Sequence, residues 1–401
     1  MNIINRRLKY IMKVLCLYIS MLWKKDYELY VFGSWFGEKF ADNAKYLYLY
    51  FLHHGKNAVW ITKSNDVYEQ LKSLNLPVAM AYSREGRKYC RKAGFVFVCT
   101  GKNDLNENWI GGSTCIDLQH GVPLKKVMYD DTINGLLLTP KYKLHSFLTK
   151  LPLRKYYAAS SSSTMSKIFK SALRINDSQI LQFGLPRNDC FFDGTLSKVK
   201  YCDIPYKKMI AYMPTHRNTG STPIDINKLF DLKKLNDFCV KNEILFVIKK
   251  HFYHNDESTN LNNFSNIIDL TRQQCDSQEL LFNADMLISD YSGIYIDYLL
   301  LNRPIIFYAY DYKKYLTTDR NLYFNYEEVA PGYIVQDFET LFEKLNDAVL
   351  KGFCVQDKHY YVKDLFFDKN NQGQVSEKYL EFVTLLSLQK SKKCSASNKK
   401  A

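Results

Sequence analysis

The feature that most constrains this chain is a repeated alternation. Short, unbroken runs of apolar, β-branched or aromatic residues recur along it, each followed by a turn and a helical pattern. The runs are Leu29–Phe32, Asn57–Ile61, Gly94–Val98, Thr114–Leu118, Tyr156–Ala159, Lys208–Met213, Ile244–Ile248, Met286–Ser289 and Pro304–Tyr308. Continuous apolar strands separated by helices predict parallel sheets covered on both faces. The pattern restarts after the hydrophilic stretch Gly194–Tyr206, which reads as a linker. The expected fold class is α/β: two doubly wound, Rossmann-type domains facing across a cleft, preceded by an amphipathic helix. The expected organisation is 1–25 for that helix, 26–195 and 196–345 for the two domains, 346–389 for a helical segment packing back on the body, and 390–401 for a basic, disordered tail.

Charge narrows the partners. Lys and Arg number 55 against 41 Asp and Glu, a net charge of +14, which calls for an anionic partner or serves solubility alone. No arginine-rich run or RNP-type aromatic motif is present, so nucleic acid is not expected. Ten cysteines without a CxxC pair argue against a zinc ribbon or disulfide framework and for a reducing compartment. Near the N-terminus, Leu8, Ile11, Met12, Leu15, Ile19 and Leu22 recur at helical spacing beside Lys9 and Lys13. The stretch is too short and too charged to cross a bilayer. It fits a helix lying on an anionic leaflet, or equally a first helix buried against the domain.

In doubly wound sheets ligands bind beyond the C-terminal strand ends, and the polar residues gather there. After the first run come Gly33-Ser34-Trp35-Phe36-Gly37 and then Asp42-Asn43, which suit an anion-binding turn but read better as a helix cap. After the fourth comes His120, set before a Gly-Val-Pro turn and followed by Lys125 and Lys126. Such an imidazole suits removal of a hydroxyl proton near neutral pH, with Asp117 as a possible orienting group. His216, Arg217, Lys250 and His251 follow strand ends in the second half and together suit an anion pocket. Asp290-Tyr291-Ser292-Gly293 closes a strand and opens a helix, with Asp297 inside it. The free N–H groups there offer a phosphate seat. P-loop, dinucleotide, zincin and α/β-hydrolase signatures are absent.

In order, these clusters resemble the CDP-glycerol glycerophosphotransferase family of teichoic-acid and capsule polyol-phosphate transferases. The matches are Phe32 to Gly37 with Asp42-Asn43-Ala44-Lys45, His120 to Lys126, Gly184-Leu185-Pro186-Arg187-Asn188-Asp189, Pro214 to Arg217, Asp290 to Gly293, Ile296-Asp297-Tyr298, Arg303 to Asp311 and Tyr326 to Gly332. The resemblance implies a GT-B fold and transfer of a polyol phosphate without a metal or other cofactor. The donor would be CDP-glycerol or another CDP-polyol, and the acceptor lipid-linked or a growing polymer. The 26–195 domain would serve the acceptor and the 196–345 domain the donor. His120 would be the base and His251 the second catalytic histidine. His216, Arg217, Lys250, Asp290, Ser292, Gly293 and Asp297 would hold the donor. Ser34, Asp42, Asn43, Lys125 and Arg187 would be acceptor-side or structural. The expected location is the cytoplasmic face of the membrane, peripherally bound. The competing expectations are a GT-B nucleotide-sugar glycosyltransferase and an inactive, membrane-associated scaffold of a capsule assembly. Departures from the family pattern include Gln119 before His120, Phe252 after His251, Gly293 where a second serine is usual, and Asn321 after Arg320.

Overall fold

The structure, a computed structural model, describes residues 3–132, 147–148, 153, 155–215, 217, 222–250, 261, 263–273, 275–318 and 321–398. They form two units: the described residues within 1–120, 134–189 and 368–401, and those within 121–133 and 190–367.

The first unit is built on a parallel sheet of seven strands in the order β3-β2-β1-β4-β5-β6-β7. These are β1 (Asp26–Phe32), β2 (Asn57–Thr62), β3 (Val78–Met80), β4 (Ala93–Val98), β5 (Thr114–Asp117), β6 (Lys155–Ala159) and β7 (Ile180–Leu181). Successive side chains of a strand point to opposite faces, and here both faces are buried. Tyr30 and Phe32 pack with Leu47, Tyr48 and Phe51 of helix Asp42–His53 and with Val375, Tyr379 and Val383 of the last helix. Leu29 and Val31 enter the opposite cluster with Val96, Val98 and Leu17. Each side chain buried this completely contributes about 1.5–3 kcal/mol of transfer free energy.

The second unit repeats the plan with a six-stranded parallel sheet, β10-β9-β8-β11-β12-β13. Its strands are β8 (Lys208–Tyr212), β9 (Ile244–Ile248), β10 (Ile267–Asp269), β11 (Met286–Ser289), β12 (Ile305–Tyr308) and β13 (Tyr333–Val335). In both sheets the first strand is central and the winding reverses beside it. The reversal falls between β1 and β4 and again between β8 and β11, where such sheets bind ligands.

The N-terminal helix runs Ile3–Ile19 and continues as a 3₁₀ turn, Ser20–Leu22. Leu17 and Ser20 are buried, and a Cβ on Gly111 would stand 1.9 Å from the Leu17 carbonyl oxygen, so only glycine admits the helix so closely. Ile11, Met12, Leu15, Ile19 and Leu22 remain exposed. At the other end the lysine-bearing segment expected to be disordered is helical through Asn398, within helix Val375–Asn398. No glycine or proline follows Gly373, so nothing local breaks it. Among the described residues no helix is long and apolar enough to cross a membrane.

Candidate active site

The strand ends of the first unit carry His120. β5 stops at Asp117, and Gln119 turns the chain with a left-handed φ of 58° to present an exposed imidazole. Asn43 Nδ2 donates to the carbonyls of Leu118 (3.2 Å) and Gln119 (2.8 Å), and Arg187 donates to that of His120 (3.0 Å). Arg187 also pairs with Asp42 at 2.6 Å, and its backbone N–H donates to Asn43 Oδ1 at 3.1 Å. The cap of helix Asp42–His53 is Ala41, without a side-chain bond, and Asp42 itself sits at φ 66°. The capping role read from Asp42-Asn43 is thus corrected: the cap position is Ala41, the Asn43 side chain is spent on the loop that carries His120, and the Asp42 carboxylate accepts the Asn43 N–H at 2.8 Å while pairing with Arg187. Charged hydrogen bonds of this kind are short and directional, and these fix the backbone beneath the imidazole.

Two groups meet the ring itself. Its Nδ1 lies 3.4 Å from the Cys99 carbonyl oxygen, and the Trp35 ring packs edge-on with centroids 5.8 Å apart. Asp117 does not orient it. That carboxylate accepts from the Tyr156 hydroxyl (2.8 Å) and the Gln119 N–H (3.1 Å). Burial pushes the Asp117 carboxyl up to about 7, against the downward pull of those two bonds. Ser34 is fully buried beside β1, and its hydroxyl meets no partner among the described residues.

In the second unit the loops after β8, β11 and β12 converge on Arg217. Its Nε donates to Asp311 (2.7 Å), one terminal nitrogen to the Thr215 carbonyl (2.6 Å), and the other to Asp311 (3.1 Å) while pairing with Asp290 (2.9 Å). Tyr291, Tyr310 and Tyr315 stack around the guanidinium at 5.1–5.2 Å. Burial alone would lower its pKa, but Asp290 and Asp311 more than offset this and raise it. Arg217, expected at the donor, is therefore the buried tie of three strand ends. Asp290 also accepts from the Thr215 N–H at 2.8 Å.

Helix Ile294–Tyr298 begins just beyond, with the Ser292 hydroxyl accepting from the Ile294 N–H at 3.4 Å. A Cβ on Gly293, where the family pattern usually has a second serine, would press on the Val122 carbonyl oxygen at 3.0 Å. Asp297 and Lys250 are buried, and the Lys250 N–H donates to the Thr271 hydroxyl at 3.0 Å. Lys125 belongs to this unit, 4.9 Å from the Tyr315 ring centroid. His216 and His251 lie outside the described residues. No local sequence signal marks the Cys99 carbonyl as the neighbour of His120 or Asp311 as the partner of Arg217. Among the described residues no cluster of His, Cys, Asp and Glu is arranged to hold a metal ion.

Comparison with known proteins gives this arrangement a context. A family model described as CDP-glycerol:poly(glycerophosphate) glycerophosphotransferase matches residues 16–385. The chain is 26% identical to the teichoic acid glycerol-phosphate transferase of Staphylococcus aureus (strain NCTC 8325 / PS 47), covering 89% of this chain and 92% of that protein. It is 28% identical to a teichoic acid poly(glycerol phosphate) polymerase of Staphylococcus epidermidis, across 84% of this chain but only 47% of the polymerase. Among solved structures, the wall teichoic acid polymerase TagF superposes with a TM-score of 0.74 at 25% identity, covering 96% of this chain and 97% of that one. The shared architecture is α/β and GT-B-like.

Proposed function

Because the chain belongs to the CDP-glycerol:poly(glycerophosphate) glycerophosphotransferase family, we propose that it transfers glycerol phosphate, or a related polyol phosphate, from a CDP-linked donor to an acceptor hydroxyl in teichoic-acid or capsule-type polymer synthesis. The observation that carries this reading is the exposed His120 ring, backed at Nδ1 by a carbonyl and clamped from below through Asn43 and Arg187. A carbonyl can only accept, so the neutral imidazole keeps its proton on Nδ1 and offers the Nε2 lone pair. In the proposed step Nε2 takes the acceptor's hydroxyl proton as that oxygen bonds to the β-phosphorus. The bond from this phosphorus to the bridging oxygen breaks, and CMP leaves with the electron pair.

In the same reading the N–H groups of Ser292 and Gly293, with Lys250, His216 and His251, hold the diphosphate and stabilise the departing charge. Arg217 serves indirectly, keeping Thr215 and Asp290 in register. Incubating the protein with CDP-glycerol, CDP-ribitol and UDP-sugars over glycerol-phosphate acceptors tests the assignment. CMP release coupled to acceptor elongation is expected; UDP release without CMP rejects it.

The lipid-linked acceptor and peripheral membrane location belong to the same proposal. Supporting them are the six exposed apolar side chains from Ile11 to Leu22, on a chain of net charge +14. Replacing Ile11, Met12, Leu15 and Leu22 with serine is expected to abolish sedimentation with vesicles containing anionic lipid. Undiminished sedimentation of the folded variant would remove this part of the proposal.

A further inference from the structure

We infer that Asp104 is a positioning residue for His120, setting which ring nitrogen carries the proton; the inference rests on reading His120 as the base. Asp104 is completely buried and has no ion-pair partner among the described residues. A buried charge without a counter-ion is costly unless hydrogen bonds satisfy it. One oxygen accepts from the N–H groups of Cys99 and Thr100, both at 2.8 Å. The other accepts from the Phe36 N–H at 2.7 Å and from the Thr100 hydroxyl. The Thr100 hydroxyl in turn accepts from the Phe36 N–H at 3.2 Å.

This carboxylate joins the ends of β1 and β4 across the reversal point of the first sheet. The two contacts of the His120 ring come from one residue it holds and from the neighbour of another. The Cys99 carbonyl faces Nδ1, and Trp35, the neighbour of Phe36, packs against the imidazole. Trp35 and Phe36 are also left-handed, at φ 47° and 60°, a conformation that costs about 1–2 kcal/mol per residue and persists only where the surroundings enforce it. A free histidine side chain favours the proton on Nε2, the tautomer that cannot accept one there. Holding the Cys99 carbonyl against Nδ1 selects the reactive form.

The test is Asp104→Asn in the full chain, with histidine labelled with ¹⁵N and the His120 ring signals assigned by their loss in His120→Ala. The asparagine replaces an acceptor with an amide that confronts the same N–H donors. Ring shifts measured above the imidazole's titration are expected to move from a Nδ1–H pattern toward a mixture of tautomers. The kcat for CMP release should fall about 10–100-fold, with KM for CDP-glycerol within about twofold, as for a small misplacement of a reacting group. A folded variant with the wild-type tautomer and kcat overturns the inference. If Asp104→Asn does not fold, Thr100→Val decides, since it removes one donor and keeps the charge. A several-fold fall in kcat with the same drift of tautomer supports the role, and no change overturns it. Full activity in His120→Ala would instead defeat the base assignment, while the tautomer readout still reports on Asp104.

Discussion

His120→Ala is expected to lower the rate of CMP release by about 10²–10⁴-fold, the usual contribution of a positioned general base. Folding should be spared, because the ring is exposed and meets only the Trp35 edge and one carbonyl. Exposed substitutions of this kind change stability by about 0.5 kcal/mol or less. Asn43 and Arg187 bond to the backbone of this loop rather than to the ring, so the loop stays in place when the ring is removed. Single-turnover CMP release beside a denaturant titration makes the comparison. Unimpaired turnover by the alanine variant would eliminate His120 as the base.

Arg217→Met is expected to do the reverse and strike stability first. The substitution leaves Asp290, fully buried, and Asp311 without their shared cation, and orphans the Thr215 carbonyl. Removing one partner from a buried ion pair costs about 3–5 kcal/mol. For a unit of this size that lowers the unfolding midpoint by about 10 °C. Arg217→Lys should recover part of the loss, since it restores charge without the planar fork that bridges two carboxylates. Thermal unfolding followed by circular dichroism reads the difference. A methionine variant as stable as the wild type, with only a raised KM for CDP-glycerol, would mean that Arg217 is a ligand-binding group and not the tie described above.

The two sheets were legible in the sequence because their central strands are buried on both faces and read as unbroken apolar runs. The strands that escaped notice are β3, β7, β10 and β13, each at a sheet edge and only two or three residues long. An edge strand has one bonded neighbour and partial exposure, so it carries little apolar periodicity. At the site, the position of His120 after a strand was readable, and so was the strand-to-helix turn at Ser292-Gly293. The supporting groups were not. Asp42 and Asn43 fit a helix cap locally, and only the fold brings Arg187, far along the chain, against them. Asp104 lies in a polar stretch, Thr100-Gly101-Lys102-Asn103-Asp104, that reads as a solvated turn, yet it is wholly buried. Asp311 closes a recognisable block, but nothing local reveals that its partner is Arg217.

The last helix completes the first unit. Val375, Tyr379 and Val383 lie in the same core as Tyr30 and Phe32, and the Asp189 carboxylate accepts the N–H groups of Val375 and Ser376. The strands of the second unit, by contrast, all fall between residues 208 and 335. On the ribosome the first unit, which carries His120, is therefore begun before the second and finished after it. At about 5–20 residues per second it waits roughly 10–40 s, one flank of its sheet uncovered, while the second unit emerges and folds.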